Sequence, residues 1–277
     1  MASQRLRPYL AALRSRFLQM LQYRVAAYSG FATQCWWGAI KIMVLAAFYG
    51  GTAAASAPLS LAQSVTYTWM AQGLLALLPW GGDPEVAQAV RTGAVAYDRL
   101  RPVDAYGLWF ARSAGWIAAR VLPRVALMAA FAGIALPLAG LGEWAWQPPA
   151  SLAAGAAFLA SALLALLLST SLVMLLNIAA AAALNERGIN ALATPLVIVL
   201  SGNLLPLALL PDFWQTALLM QPLAGVLDIP ARIYLMQLSG GQALAGLGLQ
   251  CLWIVLLVAA GRVAMRRTMR RLEVQGG

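Results

Sequence analysis

Residues 150–184 read ASLAAGAAFLASALLALLLSTSLVMLLNIAAAAAL, an apolar run without a charged side chain. A helix needs about 20 mostly apolar residues to cross a hydrocarbon layer about 30 Å thick, so this run is long enough to span a membrane. Over all 277 residues, 62% are hydrophobic and 10% are charged, whereas soluble domains have about 45 to 50% apolar and about 25% charged residues. The sequence therefore predicts an all-α, polytopic integral membrane protein.

Six stretches have the length and apolar character of a membrane span. They lie at residues 25–49, 58–80, 121–141, 150–184, 192–210 and 245–263. The fourth is long enough to contain two helices, and a seventh span would then place the two termini on opposite faces. The sequence contains no low-complexity linker or obvious repeat, so residues 1–277 are predicted to form one domain.

The positions of the basic residues decide the orientation, because Lys and Arg concentrate in cytoplasmic segments. With six spans, nearly all arginines fall on one face, whereas only Arg232 falls on the other and Lys41 lies inside the first span. This distribution argues against a seventh span and predicts that both termini are cytoplasmic. Arg232 follows Asp228 by four residues and can pair with it on a short helix. Lys41 either has a functional role or extends towards the interface or a partner chain.

Several classes of function are excluded or disfavoured. The chain has no histidine, and its single lysine lies in a span, outside any G-x-x-x-x-G-K-[ST] phosphate loop. Its nine acidic residues lie in loops or at span ends, which disfavours a proton-driven carrier. Nucleic-acid binding is also disfavoured. We predict no catalytic residue, no metal site and no cofactor in this chain, with Cys35 and Cys251 buried as small apolar side chains.

Two segments outside the spans have helical periodicity. In residues 1–24, apolar side chains recur at steps of three and four, which indicates an amphipathic helix on the cytoplasmic membrane surface. This helix is either an anchor for the first span or a moving part of a larger machine. In the cytoplasmic loop 81–120, helix signals predict two short helices, separated near residues 101–104. Aromatic residues on the second are expected at the headgroup level, opposite a face of small residues.

Two motifs on opposite predicted faces resemble those of one family. The cytoplasmic stretch VRTGAVAYDRLRPVD, residues 90–104, is similar to the coupling-helix motif of type-2 (ABC-2) permeases of ATP-binding-cassette transporters. On the other face, Ser201-Gly202-Asn203 followed by Pro211-Asp212-Phe213-Trp214 and Gln221-Pro222 is similar to a second segment of that family. The order of the motifs, the six predicted spans and the N-terminal helix extend this resemblance over essentially the whole chain.

The resemblance implies a permease that pairs with a second copy or a homologous permease and docks separate ATPase subunits, which would bind ATP and Mg²⁺. It also implies that the cytoplasmic loop receives the motion of the ATPase. A rigid Arg-Pro kink between two helices suits a part that transmits displacement, although these arginines alternatively serve only to fix the topology. The candidate coupling residues are Arg91, Gly93, Asp98, Arg99, Leu100, Arg101, Pro102 and Asp104.

The second motif predicts an outer gate. Prolines break the chain at the outer end of the fifth span, and Asp212 and Gln215 have the spacing of a capping box for a new helix. Broken apolar helices at membrane depth occur only where they are buried in protein or line a cavity. The resemblance implies a helical hairpin that re-enters from outside, and we predict a gate over residues 206–238; the alternative is helix capping and packing alone. The candidate gate and pathway residues are Ser201, Asn203, Pro206, Pro211, Asp212 and Pro222.

The span walls consist of Leu, Ala and Val with few charges, which favours an apolar or amphipathic solute such as a natural product, an antibiotic, a lipid-like compound or a lipopeptide. The resemblance implies export across a bacterial cytoplasmic membrane. Two other classes stay open at this stage: a membrane scaffold or assembly subunit, and a lipid-modifying membrane enzyme.

Overall fold

The computed structural model of the chain describes residues 2–51, 57–95, 97, 102–183 and 186–271. Helices are the only regular secondary structure within these ranges, which confirms the all-α prediction. They are α1 (Ala2–Leu21), α2 (Arg24–Tyr49), α3 (Leu61–Leu74), α4 (Pro84–Arg91), α5 (Ala105–Ala130), α6 (Leu152–Ala183), α7 (Glu186–Leu200), α8 (Asp212–Met220), α9 (Asp228–Tyr234) and α10 (Gly241–Arg271). A π-helical turn at Phe131–Ala135 and a final turn at Leu136–Leu138 extend α5.

Among the described residues, four helices are long and apolar enough to cross a membrane. They are Ala27–Tyr49, Ala105–Leu138, Leu152–Ala183 and Gly241–Arg270. The run 150–184 contains one continuous helix, α6, and does not divide into two. The second and fifth predicted spans correspond to α3 and α7, which have 14 and 15 residues. The chain is therefore a membrane protein with several apolar helices, and the count of six spans stays a prediction.

The helix α3 forms the centre of the fold. A capping box between Ser60 and Gln63 starts it, with Ser60 Oγ accepting from the Gln63 N–H and Gln63 Oε1 accepting from the Ser60 N–H. Every residue from Ser64 to Leu74 is buried. Tyr67 of α3 belongs to the same apolar core as Leu168 of α6 and Leu227 before α9. Because neighbouring helices surround α3, its sequence mixes polar and apolar residues on all sides instead of showing a single apolar stripe.

The N-terminal helix α1 packs along the first half of α5. A Cβ atom at Gly115 of α5 would clash with the backbone carbonyl oxygen of Leu13 in α1, so glycine allows the close approach of the two helices. Arg16 of α1 faces the protein and is 6% exposed, whereas Leu6 and Leu10 are 57% and 62% exposed. The amphipathic segment is thus a helix with exposed leucines and one buried arginine.

The structure differs from the prediction of two separate short helices in the 81–120 loop. The first of them is α4, but the second is continuous with the third predicted span as α5, which Asp104 caps by accepting from the Gly107 N–H at 2.9 Å. Pro123 is a helix-stop signal after Trp116, but the helix continues through it to Ala130. The placement of the aromatic residues at the headgroup level is also wrong for Tyr106 and Trp109, which are buried. The predicted burial of Cys251 is wrong as well, because that side chain is exposed.

The close contact between α1 and α5 generates a prediction. Gly115→Ala should lower the free energy of unfolding by about 1 to 3 kcal/mol, since the added methyl group must push the helices apart. Thermal unfolding of the purified protein measures this loss, and faster tryptic cleavage within α1 should accompany it. Gly248→Ala in α10 is the matched control, because a Cβ atom there meets nothing within 4 Å. Equal stability of the two variants would contradict the proposed packing.

Candidate functional site

At one end of α3, an ion-pair network joins three helices that are distant in sequence. Arg16 of α1 lies 3.1 Å from the carboxylate of Asp83, which precedes α4, and also pairs with Glu85 in the first turn of α4. The other carboxylate oxygen of Glu85 accepts from Arg112 of α5 at 3.2 Å. We call Arg16, Asp83, Glu85 and Arg112 the Arg16 junction. It connects the N-terminal helix to the start of the predicted coupling loop.

Asn177 of α6 is hydrogen-bonded to the backbone of the Arg16 junction. The side-chain oxygen of Asn177 accepts from the Asp83 N–H at 2.7 Å, and it would lie 2.6 Å from a Cβ atom at Gly82. The Asp83 carboxylate is itself the N-cap of α4 and accepts from the Glu85 N–H at 3.0 Å. Burial raises the pKa of the Asp83 carboxyl above its usual range, and the Arg16 cation opposes that shift. The charged form of the buried Asp83 carboxylate is therefore stabilised by the Arg16 cation and by the Glu85 N–H.

The predicted coupling residues that are described lie at the two edges of the loop. Arg91 ends α4 and pairs with Glu186 of α7 at 3.2 Å. Gly93 follows with a φ of 73°, a left-handed conformation that favours glycine. Four of the predicted residues, Asp98, Arg99, Leu100 and Arg101, lie outside the described residues.

The far edge of the loop is also tied to other helices. Pro102 and Asp104 are exposed, and the Asp104 carboxylate lies 3.2 Å from Arg262 of α10. The Asp104 N–H donates to the Tyr9 hydroxyl of α1 at 3.0 Å. The loop is therefore fixed at its edges to α1, α7 and α10.

A second polar cluster lies nearer the other end of α3. Asp228 is fully buried and accepts from the Tyr67 hydroxyl at 2.7 Å and from the Leu207 N–H at 3.1 Å. The Tyr67 hydroxyl also lies 3.1 Å from the Gly202 carbonyl oxygen. We call Tyr67, Gly202, Leu207, Asp228 and Arg232 the Asp228 cluster. The expected pairing of Arg232 with Asp228 is confirmed, at 3.9 Å on the short helix α9.

Gly202 is necessary at its position in this cluster. Its φ of 82° is left-handed, and a Cβ atom there would lie 2.5 Å from the Tyr67 hydroxyl and 3.0 Å from the Asp228 carboxylate. A side chain at this position would thus impose backbone strain and displace the central tyrosine. The hydrogen bond between Tyr67 and Asp228 therefore forms only with a glycine in the tight turn after α7.

The predicted gate residues take several different positions around this turn. Ser201 is buried, and its hydroxyl accepts from the Asn203 N–H at 3.2 Å. The Asn203 carbonyl oxygen accepts from the Lys41 ammonium group of α2 at 2.6 Å, so Lys41 holds the loop. The Asn203 side-chain oxygen is buried without a hydrogen-bond donor in the described part of the chain. Pro206 is buried next to this turn.

The remaining three gate residues lie at the two ends of α8. Pro211 is exposed and occupies the N-cap position, and Asp212 is the first helical residue. The predicted capping box is therefore wrong: Asp212 gives the backbone no side-chain cap, and its carboxylate accepts from the Gln215 amide at 3.3 Å. A proline carries no N–H, so it can start the helix in place of the expected aspartate. Pro222 follows α8, beside Gln221, whose amide donates to the Leu200 carbonyl oxygen at 2.8 Å.

Sequence reasoning missed most of the residues that organise the two sites. The periodicity of residues 1–24 does not distinguish Arg16 from the other polar residues of an amphipathic helix, and Tyr67 and Asn177 lie inside predicted spans. A usable signal did exist, because a polar side chain within an apolar segment needs a partner in the protein.

The comparison with protein families confirms the resemblance drawn from the two motifs. The model of a family described as ABC-2 family transporter protein matches residues 59–276, most of the chain. The curated proteins and the solved structures gave no match.

The Arg16 junction predicts a pH-dependent stability. Arg16→Leu leaves Asp83 buried without its nearest cation, which should cost about 3 to 5 kcal/mol of unfolding free energy at neutral pH. Because the folded-state pKa of Asp83 is raised, the protonated acid stabilises the fold; this contribution is fully present below the unfolded pKa and is lost as the pH rises through the folded one. The deficit of the variant should therefore shrink as the pH falls towards 3.8.

Thermal unfolding of the purified protein over a pH series measures this effect. The double variant Arg16→Leu with Asp83→Asn is the control, since it removes the titrating group and should show a smaller, pH-independent deficit. A deficit of Arg16→Leu that is constant across the series would contradict the role assigned to Asp83.

The Asp228 cluster yields a second prediction. Tyr67→Phe removes one donor from a fully buried carboxylate and should lower the unfolding free energy by about 1 to 3 kcal/mol. Hydrogen exchange should speed up at the amides of residues 202–205 and 207, because the turn loses its hydrogen bond to α3. Tyr28→Phe is the control, since Tyr28 is 61% exposed. Unchanged exchange in the turn would show that the tyrosine does not hold it.

Proposed function

Because the chain belongs to the ABC-2 transporter family, we propose that it is the permease subunit of an ATP-driven exporter. Its cargo would be an apolar or amphipathic compound moved outwards across a bacterial cytoplasmic membrane. The predominance of apolar residues in the long helices supports such a cargo, and the concentration of arginines on one predicted face supports cytoplasmic termini. The family supports a transport role over scaffolding or lipid chemistry.

The proposal places ATP and Mg²⁺ on a separate ATPase subunit. This chain has no G-x-x-x-x-G-K-[ST] loop and no lysine outside α2, so the energy would come from a partner that docks at the loop between α4 and α5. A second copy or a homologous permease would complete the membrane pathway. The arginine-rich stretch of this loop suits a partner surface with acidic groups.

The observation that carries the coupling proposal is the fixation of this loop at both edges. Arg91 ties it to α7, Asp104 ties it to α10 and α1, and the Arg16 junction ties the start of α4 to α1 and α5. A displacement applied to the loop would therefore move these helices instead of being absorbed by the loop itself.

The outer gate would be the segment from the end of α7 to α9. Tyr67 lies six residues after the start of α3, about 9 Å along that helix, and it contacts Gly202 and Asp228. This depth supports a hairpin that re-enters the membrane layer. Lys41 and Tyr67 both donate hydrogen bonds to the turn, to the carbonyl oxygens of Asn203 and Gly202 respectively. Opening the gate would require the breaking of these two hydrogen-bonded ties.

The coupling proposal is tested by charge reversal in the loop. The double variant Arg99→Glu with Arg101→Glu should abolish capture of the partner ATPase in a pull-down from membranes that hold both subunits, because it removes the cations of the docking surface. Membrane insertion and the amount of protein should stay the same.

The control carries the same change of charge on the same predicted face. Arg7→Glu with Arg14→Glu alters two exposed arginines of α1 and should leave capture intact. Retained capture by the loop variant, or equal loss in both variants, would remove the loop from the docking surface. Failure of the unmodified chain to copurify with any ATPase would overturn the proposed function itself.

A further inference from the structure

A cavity of about 280 Å³ lies beside the Arg16 junction, between the end of α3 and helices α5, α6 and α7. Its polar lining includes Arg120 of α5, Asn190 of α7 and Ser169 of α6, and its apolar lining includes Trp80, Trp116 and Val173. Small-molecule pockets usually measure about 300 to 1,000 Å³. The cavity is therefore large enough for a head group and too small for a whole amphiphile.

The electrostatics of this cavity favour an anion. Arg120 contributes a full positive charge, and none of its described lining residues is acidic. In the described part of the chain, no carboxylate lies within ion-pair distance of Arg120, whereas Arg16, Arg91, Arg112 and Arg262 each have one. Arg120 is therefore a partly buried cation with no carboxylate in direct contact among the described residues, and Asp83 acts on it only from beyond ion-pair distance.

The side chain of Arg120 is held ready for a ligand. Its guanidinium group stacks over the ring of Trp116, 4.5 Å from the centroid. Stacking covers a face of the guanidinium and leaves its N–H groups free in the plane, where they can bind a phosphate or carboxylate with two parallel hydrogen bonds. Asn190 supports this arrangement, because its oxygen accepts from the Gly82 N–H at 3.2 Å and its amide nitrogen remains available as a donor.

The position of Arg120 along α5 indicates where the anion would lie. The segment Ala105–Leu138 has 34 residues, so it is about 51 Å long, whereas the hydrocarbon layer is about 30 Å thick. The excess corresponds to about 14 residues. With the outer end of this segment at the outer boundary, the inner boundary falls just before Arg120, at the depth of lipid head groups.

We propose that this cavity binds the phosphate or carboxylate head group of an anionic amphiphile from the cytoplasmic side of the membrane. The proposal deepens the proposed function, and rests on it, where the amphiphile is the cargo; an anionic membrane lipid presents the same chemistry. The apolar walls formed by Trp80, Trp116 and Val173 favour a head group that continues into an apolar tail over a free inorganic anion.

Native mass spectrometry of the full-length permease, purified alone in the neutral detergent dodecyl maltoside, tests this site. The probe is dodecyl phosphate, and inorganic phosphate is the comparison without a tail. The unmodified protein should bind dodecyl phosphate in preference to inorganic phosphate. Arg120→Gln should raise the dissociation constant of the first bound dodecyl phosphate about tenfold, as expected for the loss of a hydrogen bond to a charged group.

Three variants separate the site from general effects of charge and folding. Arg124→Gln removes a neighbouring arginine that packs against Gly30 of α2 and should weaken binding far less than Arg120→Gln does. Arg120→Lys should retain more affinity than Arg120→Gln, because the charge remains. Val173→Phe, which fills the cavity without altering charge, should also weaken binding. Equal binding by Arg120→Gln and Arg124→Gln, or equal affinity for inorganic phosphate, would overturn the proposal.

A competition experiment distinguishes a membrane lipid from a cargo molecule as the natural occupant of the cavity. If phosphatidylglycerol displaces dodecyl phosphate and phosphatidylcholine does not, the cavity is a site for anionic membrane lipid. If neither lipid displaces the probe, the occupant is an acidic amphiphile other than bilayer lipid, as expected for cargo. Because no ATPase is present, this result is independent of whether the coupling proposal holds.

Discussion

Lipid cannot form hydrogen bonds with a broken backbone, and this constraint shapes the part of the molecule between α7 and α10. Two short helices, α8 and α9, lie there with turns around them, so many N–H and C=O groups lack partners within a helix. Side chains from the long helices supply these partners: Lys41 donates to Asn203, Gln250 to Gly225 at 2.7 Å, and Trp253 to Met220 at 2.8 Å. The polar residues inside apolar helices are thus explained by the irregular segment that they support.

The same constraint explains why α3 is central. An irregular segment needs hydrogen-bond partners from the protein around it, and α3 with α6 provides that surface. Tyr67 reaches Asp228 and the Gly202 turn, while the Thr66 hydroxyl accepts from the Gln147 N–H at 3.0 Å in the loop before α6. A helix in this position has no lipid-facing side, so it can be short and can carry Ser64, Thr66 and Thr68 in its interior.

The sequence alone was sufficient for the membrane class, the family resemblance and the long helices, because a charge-free run such as 150–184 has few alternatives in structure. It was insufficient where a contact joins residues far apart in the chain. The pairing of Arg16 with Asp83 joins positions 67 apart, and no local pattern distinguishes a buried arginine on an amphipathic helix from an exposed one. The error at Tyr106 and Trp109 has the same origin: an aromatic stripe suits both a membrane interface and a protein core, and packing against Val86 and Met265 decided for the core. The capping box predicted at Asp212 is wrong because the preceding residue, Pro211, occupies the N-cap position.

The two polar sites are connected by α3 itself, and this geometry bears on how a signal could cross the molecule. Just beyond its C-terminal end, the Leu77 carbonyl oxygen accepts from the Ser169 hydroxyl and the Trp80 carbonyl oxygen accepts from Thr194 of α7 at 3.1 Å. Within the helix, Tyr67 donates a hydrogen bond to Asp228. Close-packed interiors transmit displacement with little compression, and α3 is buried along nearly its whole length. A displacement of α4 can therefore reach the Gly202 turn by a short path. The path runs through the backbone from Asp83 to Trp80 and then along α3 as a rigid element. The Tyr67 hydroxyl connects α3 to the segment between α7 and α9.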